Sequence, residues 1–233
     1  MKNRRPNKIE NPDLRFAILA TDIALFTLRE NELCIRLIPV NKPPHFENMW
    51  GLPGGLLSPA ETAEEAAHRH LETKAKIVPS SVHLEQLYTF SEVQRDPRGR
   101  VVAVAYLAVV PWESLSVSER EENDETRWVP ITKLPKLAYD HDTIVSVALE
   151  RLRSRISYTT LIAKLLPQEF TLIELERAYE TILKKKIDRR NFRKKIEKLE
   201  LVRSLGRKRQ GLKSRPAMLY SFRSTKVTPI DML

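Results

Sequence analysis

Residues 50–77 read WGLPGGLLSPAETAEEAAHRHLETKAKI, a glycine turn followed by an amphipathic helix, and this stretch decides the fold. The Gly54-Gly55 pair predicts a turn at which the backbone approaches a ligand closely. Thr62 and Glu65 have the spacing of a capping box, so a helix is expected to begin at Thr62 and to run to about Lys76. Small and apolar residues recur at helical spacing, which predicts that one face packs on a core while a neighbouring face looks toward a cleft.

The same stretch resembles the Nudix box, whose pattern is Gly, five residues, Glu, seven residues, then Arg-Glu-apolar-x-Glu-Glu-x-Gly-apolar. Five positions match that pattern: Gly55, Glu61, Arg69, Leu71 and Ile77. Four positions that are Glu, Glu, Glu and Gly in the family are here His70, Thr73, Lys74 and Lys76. Magnesium prefers carboxylate oxygens, whereas a lysine ammonium only donates hydrogen bonds and repels the ion. The resemblance therefore implies a Nudix fold with no metal, no catalytic residues and little or no hydrolase activity.

Charge is distributed unevenly along the chain. Residues 1–154 hold 20 Lys+Arg and 22 Asp+Glu, whereas residues 155–233 hold 20 and 8, out of 40 and 30 in all 233 residues. The basic surplus thus belongs to the C-terminal part, and the length suggests two domains. The single cysteine, Cys34, excludes a disulfide framework within the chain. With no apolar run of about 18 residues and no signal sequence, we expect a soluble cytoplasmic protein without a membrane partner.

The N-terminal part has the pattern strands, helix, strands. Strand-like apolar runs occupy residues 16–28, 33–40, 82–90, 101–110 and 126–130. A helix is expected over about residues 140–154, a loop over 41–49 and a solvated acidic connection over 119–125. The Nudix resemblance implies that these elements form an α/β/α sandwich.

The C-terminal part has three short helical patterns followed by two β-prone pieces. The first has apolar residues at Tyr158, Leu161, Ile162, Leu165 and Leu166 and stops at Pro167. The second begins with the capping box Thr171/Glu174, and the third begins at Asp188 with Phe192, Ile196 and Leu199 facing inward. Residues 201–222 supply two strands around a cationic loop. Three helices and a basic hairpin are typical of a winged helix-turn-helix.

A winged helix reads double-stranded DNA with its third helix in the major groove and its wing near phosphates. The residues expected to contact DNA are Thr171, Arg189, Arg190, Asn191, Arg193, Lys194, Lys195, Arg207, Lys208, Arg209, Lys213 and Arg215. Asn191 suits an adenine edge and the arginines suit guanine acceptors, each good pair discriminating by roughly 1–3 kcal/mol. The plain alternative is a solvated basic helix face or a generic patch that attracts RNA.

Two stretches resemble the NrtR family of Nudix-related transcriptional regulators of NAD metabolism. They are LYTFSEVQRDPRGRVVAVAY at residues 87–106 and FTLIELERAYE at 170–180 with IDRRNFRKK at 187–195. The resemblance implies an α/β protein with a Nudix-like ligand-sensing domain over residues 1–154 and a winged helix DNA-binding domain over 155–233. It further implies a homodimeric repressor of NAD-metabolism genes that leaves a palindromic operator when ADP-ribose or a related nucleotide binds, with no cofactor.

The expected ligand contacts lie on both sides of the glycine turn. They are Arg36 and the turn residues Gly54 and Gly55, then Tyr88 or Phe90 for stacking a base, and Arg95, Arg98 or Arg100 for phosphates. Each has a structural alternative as a core or surface residue. Two functional alternatives stay open. One is a sugar-responsive, arabinose-type regulator of the same architecture, and the other is an active Nudix pyrophosphohydrolase with a basic nucleic-acid-binding tail.

Overall fold

The computed structural model describes residues 17–209 and 216–232. Seven strands form one mixed sheet: β1 Ile18–Arg29, β2 Glu32–Lys42, β3 Phe46–Gly51, β4 Gly54–Leu56, β5 His83–Phe90, β6 Val101–Val109 and β7 Arg127–Pro130. The α-helices are α1 Ala63–Thr73, α2 Val117–Arg120, α3 His141–Tyr158, α4 Leu172–Leu183 and α5 Arg189–Lys198. A second sheet contains β8 Phe170–Thr171, β9 Val202–Arg209 and β10 Ala217–Phe222. Within these ranges, the helices lack the length and apolar character that crossing a membrane requires.

Strand β1 organises the large sheet, whose order is β3-β2-β1-β6-β5, with β4 also paired to β1 and β7 to β2. β1 runs parallel to β6 and antiparallel to its other partners. The β1-β2 hairpin turns at Glu30 and Asn31, which have φ values of 52° and 64°. Two consecutive positive φ values are typical of the tight turns whose twist matches that of the flanking strands. The predicted hairpin is confirmed.

The two faces of β1 are covered by different helices, because successive side chains of a strand point to opposite sides. Ile23 and Leu25 pack in one core with Ala67 and Leu71 of α1. Ala24 and Phe26 lie in a second core that includes Ile144, Ala148 and Leu152 of α3. The predicted α/β/α sandwich is therefore confirmed.

Side-chain caps fix where the predicted helices begin. Thr62 and Glu65 form the reciprocal capping box at α1, and Thr171 and Glu174 form one at α4. At α5, the Asp188 carboxylate accepts the backbone N–H of Asn191 at 2.8 Å. Each such cap contributes roughly 1 kcal/mol to helix stability.

The winged helix packs on the same core that lies beneath α3. Phe192 and Ile196 of α5 are buried, and the Tyr179 ring of α4 lies 5.5 Å from the Phe192 ring. β9 and β10 form the predicted wing, and β10 also pairs with β8. The tip of the wing at residues 210–215, with its predicted DNA contacts Lys213 and Arg215, lies outside the described residues.

Residues 41–49 do not form the expected loop. β2 continues to Lys42, and β3 returns along it with Val40 opposite Met49 and Lys42 opposite Phe46. Glu47 and Asn48 are exposed on this edge strand. A strand at a sheet edge needs little apolar alternation, so the sequence pattern did not reveal it.

The first helix predicted for the winged helix is also corrected. α3 extends to Tyr158, Thr159 turns out of the helix with φ −140° and ψ 167°, and Thr160–Lys164 form a 3-10 helix. The Thr159 hydroxyl donates to the Arg155 carbonyl at 2.6 Å and accepts the N–H of Leu161 at 3.3 Å, which ends α3 and starts the tighter turn. The apolar spacing still predicted burial correctly, since Leu161 is fully buried. The domain boundary expected between residues 154 and 155 falls inside α3.

The acidic segment 119–125 is not solvated throughout. Glu119 is buried in α2, where its carboxylate accepts the backbone N–H groups of Val78 at 2.8 Å and Ser116 at 2.7 Å. Burial opposes ionisation of this carboxyl, but the two N–H donors hold its pKa below the usual value. Glu119 therefore ties α2 to the segment that follows α1.

Candidate functional site

A cavity of about 620 Å³ opens between the glycine turn, the end of α1 and the loop that precedes α3. Its lining carries five cations, Lys42, Lys74, Lys76, Arg95 and Arg98, and three carboxylates, Asp22, Asp96 and Glu125. Gly54, Gly55, Arg95 and Arg98, all predicted as ligand contacts, are thus brought to one site. A cavity of this volume with mixed polar lining suits an anionic small molecule.

A buried ion network supports the cavity. The Arg95 guanidinium donates to Asp140 at 2.7 and 2.9 Å and to Asp22 at 3.1 Å. His141 accepts the backbone N–H of Leu52 through Nδ1 at 2.9 Å, so its Nε2 is the protonated nitrogen that faces Asp22 at 3.4 Å. Burial opposes ionisation of Asp22, yet His141 and Arg95 hold its pKa below the usual value. The network joins β1, the glycine turn and the start of α3.

The glycine turn has no room for side chains. Gly54 pairs with Asp22 across β4 and β1, and a Cβ on Gly54 would lie only 3.0 Å from the Asp22 Cα. A Cβ on Gly55 would lie 2.6 Å from the Lys74 Nζ and 3.0 Å from the His70 Cε1. Both glycines are therefore required for β4 to lie against β1 and the end of α1.

At the end of α1, His70 and Lys74 carry nitrogen atoms at positions where the Nudix pattern has glutamate carboxylates. The Lys74 ammonium donates to the Gly54 carbonyl oxygen. Burial, helped by Arg69 and Lys42 and opposed by Asp22, lowers the pKa of Lys74. Within residues 17–209 and 216–232, the structure places no three His, Cys, Asp or Glu side chains together in a metal-binding arrangement. A cationic donor seated on the Gly54 carbonyl does not fit a divalent cation at this turn.

The buried His70 predicts how stability depends on pH. Burial, then Lys74 and Arg69, lower the pKa of His70 below 6.5, against smaller opposing effects of the Gly55 backbone and Glu61. The unfolded chain therefore binds this proton more readily than the folded chain. We expect the free energy of unfolding to fall as pH is lowered below 6.5, because the unfolded state takes up this proton before the folded state does.

Urea unfolding of wild type and His70→Gln at several pH values measures this effect. The variant removes the titrating ring, so its stability should decline less steeply with falling pH than that of the wild type. An identical slope in both proteins would show that His70 is not the responsible group.

Aromatic residues at the cavity rim were not identified from the sequence. Tyr139 lines the cavity, and its ring lies 4.2 Å from that of Phe46 and 5.1 Å from that of His141. Arg98 lies 5.2 Å above the Tyr139 ring and forms a bidentate pair with Asp96. Tyr139 lies in the short segment between β7 and α3, His141 is the first residue of α3, and no periodic pattern marks either of them. Only the sheet topology brings them to the glycine turn.

Four predicted ligand residues lie away from this cavity. Arg36 is fully buried, donates to the Ala75 carbonyl at 3.1 Å and stacks 5.1 Å from the Trp128 ring, so its contacts are structural. Phe90 is in the core, and Tyr88 is 60% exposed on β5. Arg100 donates to the carbonyls of Ser91 and Glu92 and fixes the loop before β6. The sequence showed a suitable residue type at each position but not whether that position adjoins the cavity.

The winged helix presents one exposed polar face. Arg190, Asn191, Arg193 and Lys194 of α5 are exposed, while Phe192 and Ile196 face inward. The Asn191 backbone is held by the Asp188 cap. These four predicted DNA contacts therefore lie together on solvent-facing positions of one helix.

Other predicted DNA contacts are engaged within the domain. Thr171 is buried as the α4 cap, and Arg189 pairs with Glu176 at 3.1 Å. Lys195 lies 3.9 Å from Asp231. On β9, Arg207 pairs with Glu169 and Arg209 with Glu174, whereas Lys208 is exposed. Thr171 therefore positions α4, and the wing arginines hold the wing against the start of α4.

These two parts define the class of protein: a Nudix fold followed by a winged helix. Residues 20–148 match the NUDIX domain, and residues 162–222 match the NrtR DNA-binding winged helix domain. The chain is 31% identical over 217 residues to the ADPR responsive transcriptional repressor NtrR of Acinetobacter baylyi, covering 91% of this chain and 85% of that protein. The chain belongs to the NrtR family.

Solved structures agree with this assignment. The crystal structure of Shewanella oneidensis NrtR complexed with a 27mer DNA has a TM-score of 0.77 and 33% identity, covering 88% of this chain and 93% of that one. The NUDIX domain of the same protein complexed with ADP ribose has a TM-score of 0.51 and 31% identity, covering 62% of this chain and 94% of that one. Crystal structures of one relative, Shewanella oneidensis NrtR, thus contain DNA in one case and ADP ribose in the other.

Proposed function

We propose that this protein is a transcriptional repressor that binds a palindromic operator as a homodimer and leaves it when ADP-ribose or a related nucleotide fills the cavity. Residues 1–154 sense the ligand and residues 155–233 bind DNA, in the cytoplasm, at genes of NAD synthesis or salvage. The observation that carries the proposal is that one helix, α3, joins a cation-lined cavity to a winged helix with an exposed cationic face.

In this mode α5 enters the major groove. Asn191, Arg190 and Arg193 contact base edges, while Lys194 and Lys208 contact phosphates. A two-fold dimer would place two such helices about 34–36 Å apart, or a multiple of that distance, on one side of the duplex. The relative complexed with a 27mer DNA supports this assignment.

The cavity suits a nucleoside diphosphate sugar. Its diphosphate is attracted by the lining cations, the Gly54-Gly55 turn lets the ligand approach the backbone, and the Tyr139 ring at the rim offers a stacking surface for the base. Arg95 supports the wall of the cavity, because Asp22 and Asp140 already hold its guanidinium. The relative whose NUDIX domain is complexed with ADP ribose supports that ligand.

Coupling between the sites runs through α3. Asp140 and His141 at its start belong to the ion network under the cavity, and Arg153 near its end donates to the Ile182 carbonyl of α4 at 2.9 Å. A ligand that shifts the start of α3 therefore moves the element on which the winged helix is packed. Preference of the ligand for the non-DNA-binding arrangement would weaken operator binding by about 1–3 kcal/mol.

The main rival is a Nudix hydrolase with a basic tail, in which Glu61, Glu64, Glu65 and Glu72 hold magnesium in a shifted register. In this structure Glu61 is paired with Arg69, which lowers its pKa to about 2, and Glu65 caps α1. Incubation with ADP-ribose and magnesium or manganese is expected to release no AMP above background, because the described residues provide no carboxylate cluster to hold the metal ion that would polarise the phosphoryl group. Metal-dependent turnover abolished by Glu65→Gln would instead favour the hydrolase.

The experiment that tests the function is a mobility shift on the promoters upstream of and adjacent to its own gene. The protein should bind these promoters in preference to random duplex. The protein–promoter complexes should dissociate more readily with ADP-ribose than with NAD or nicotinamide nucleotides. Release by arabinose alone would point to the sugar-responsive alternative. Equal affinity for promoter and random duplex, decreasing only with salt, would contradict operator recognition.

A further inference from the structure

Lys74 differs from three of the other four cations that line the cavity, because those three pair with carboxylates. Arg95 is held by Asp22 and Asp140, Arg98 by Asp96, and Lys76 lies 3.9 Å from Glu125. Lys74 has no carboxylate partner within ion-pair distance in the described part of the chain, and its ammonium is seated on the Gly54 carbonyl. An ammonium has three donors, and this carbonyl accepts one of them.

A second group at the same turn also lacks a partner. His70 is 98% buried, since its relative exposure is 2%, and its Nε2 has no hydrogen-bond partner of normal geometry among the described residues. That nitrogen would lie 3.2 Å from a Cβ placed on Gly55. Two polar side chains therefore converge on a turn that glycine keeps open, and of these two Lys74 lines the cavity.

We propose that Lys74 binds the diphosphate of the ligand and takes the place of a divalent cation, so that ligand binding needs no metal. The inference rests on the proposed function, because it concerns the ligand of the same cavity. A fixed positive charge on the Gly54 carbonyl attracts phosphate oxygens and repels magnesium from the same volume. The substitution that removes the catalytic carboxylate thus also supplies a binding group.

Calorimetric titration of ADP-ribose into the full chain, in EDTA and in magnesium, tests the proposal. The wild type is expected to bind with the same affinity in both buffers. Lys74→Gln should weaken binding about 10- to 100-fold in EDTA, the range expected for a lost hydrogen bond to a charged group. Lys74→Arg should recover much of that loss. Lys133→Gln, which removes an exposed lysine outside the cavity, should bind as the wild type does.

The outcomes separate this inference from the proposed function. If the wild type binds ADP-ribose only with magnesium, or if folded Lys74→Gln binds as tightly as wild type, the role of Lys74 is overturned while the repressor stands. If the wild type binds no ADP-ribose in either buffer, both are overturned. Should Lys74→Gln fail to fold, the comparison of wild type in EDTA and magnesium still decides whether a metal is needed.

Discussion

Replacing both Arg190 and Arg193 with alanine is expected to lower operator affinity at least about 30-fold while leaving the fold intact. Both side chains are exposed on α5 with no carboxylate partner within ion-pair distance in the described ranges. Each good base contact discriminates by about 1–3 kcal/mol, so the loss of two gives an effect of this size or larger. Fluorescence anisotropy with operator and random duplexes at several salt concentrations measures it.

The matched control is Lys133→Ala with Lys136→Ala, which removes the same charge from exposed positions of the Nudix domain. This pair should change operator affinity little. Asn191→Ala should reduce the preference for operator over random duplex more than it reduces non-specific affinity. Equal losses for the α5 pair and the control pair would mean that only net charge attracts DNA.

Arg95→Ala is expected to lower the free energy of unfolding by about 3–5 kcal/mol, because it leaves the buried Asp22 carboxylate without its arginine. The side chain of Arg95 is 4% exposed and that of Asp22 is 9% exposed, so solvent replaces little of the lost interaction. The variant should also respond poorly to ADP-ribose, since the network positions the start of α3. Urea unfolding gives the stability, and operator release by ADP-ribose gives the response.

Lys76→Ala is the control for this effect. Lys76 lies 3.9 Å from Glu125 at the cavity, and the two side chains are 53% and 74% exposed, so its loss should cost no more than about 1 kcal/mol. Adding Asp22→Asn to Arg95→Ala should recover part of the lost stability, because the buried charge is then gone. If Arg95→Ala and Lys76→Ala destabilise equally, the network is not the support that the geometry indicates.

The sequence predicted elements well where a local rule applies. Capping boxes fixed the starts of α1 and α4, and apolar spacing placed Phe192 and Ile196 in the core. It was wrong where tertiary contacts decide. β3 exists because the edge of β2 is available for pairing, and the helix expected after Tyr158 is interrupted where Thr159 pairs with Pro229 and Thr160 with Thr228.

The structure brings some of the predicted ligand residues together at the cavity and places others away from it. Gly54, Gly55, Arg95 and Arg98 meet at the cavity, as expected from the motif and the cationic loop. Arg36 and Phe90 are suitable residue types, but both are buried away from the cavity, and periodicity alone does not say which buried positions adjoin a cavity. Tyr139 in the loop before α3 and His141 at the start of α3 reach the site through long-range contacts that no local pattern encodes.

The most direct test is whether ligand binding at the cavity and operator binding at the winged helix weaken each other equally. ADP-ribose affinity is measured by calorimetry in EDTA, with the full chain free and saturated with operator, and operator affinity is measured with and without ADP-ribose. ADP-ribose and the operator should each weaken the protein's affinity for the other by the same factor, about 5- to 150-fold. Unchanged affinities in both directions, or AMP accumulating during the titration, would contradict a sensor that reports cavity occupancy to a DNA-binding helix.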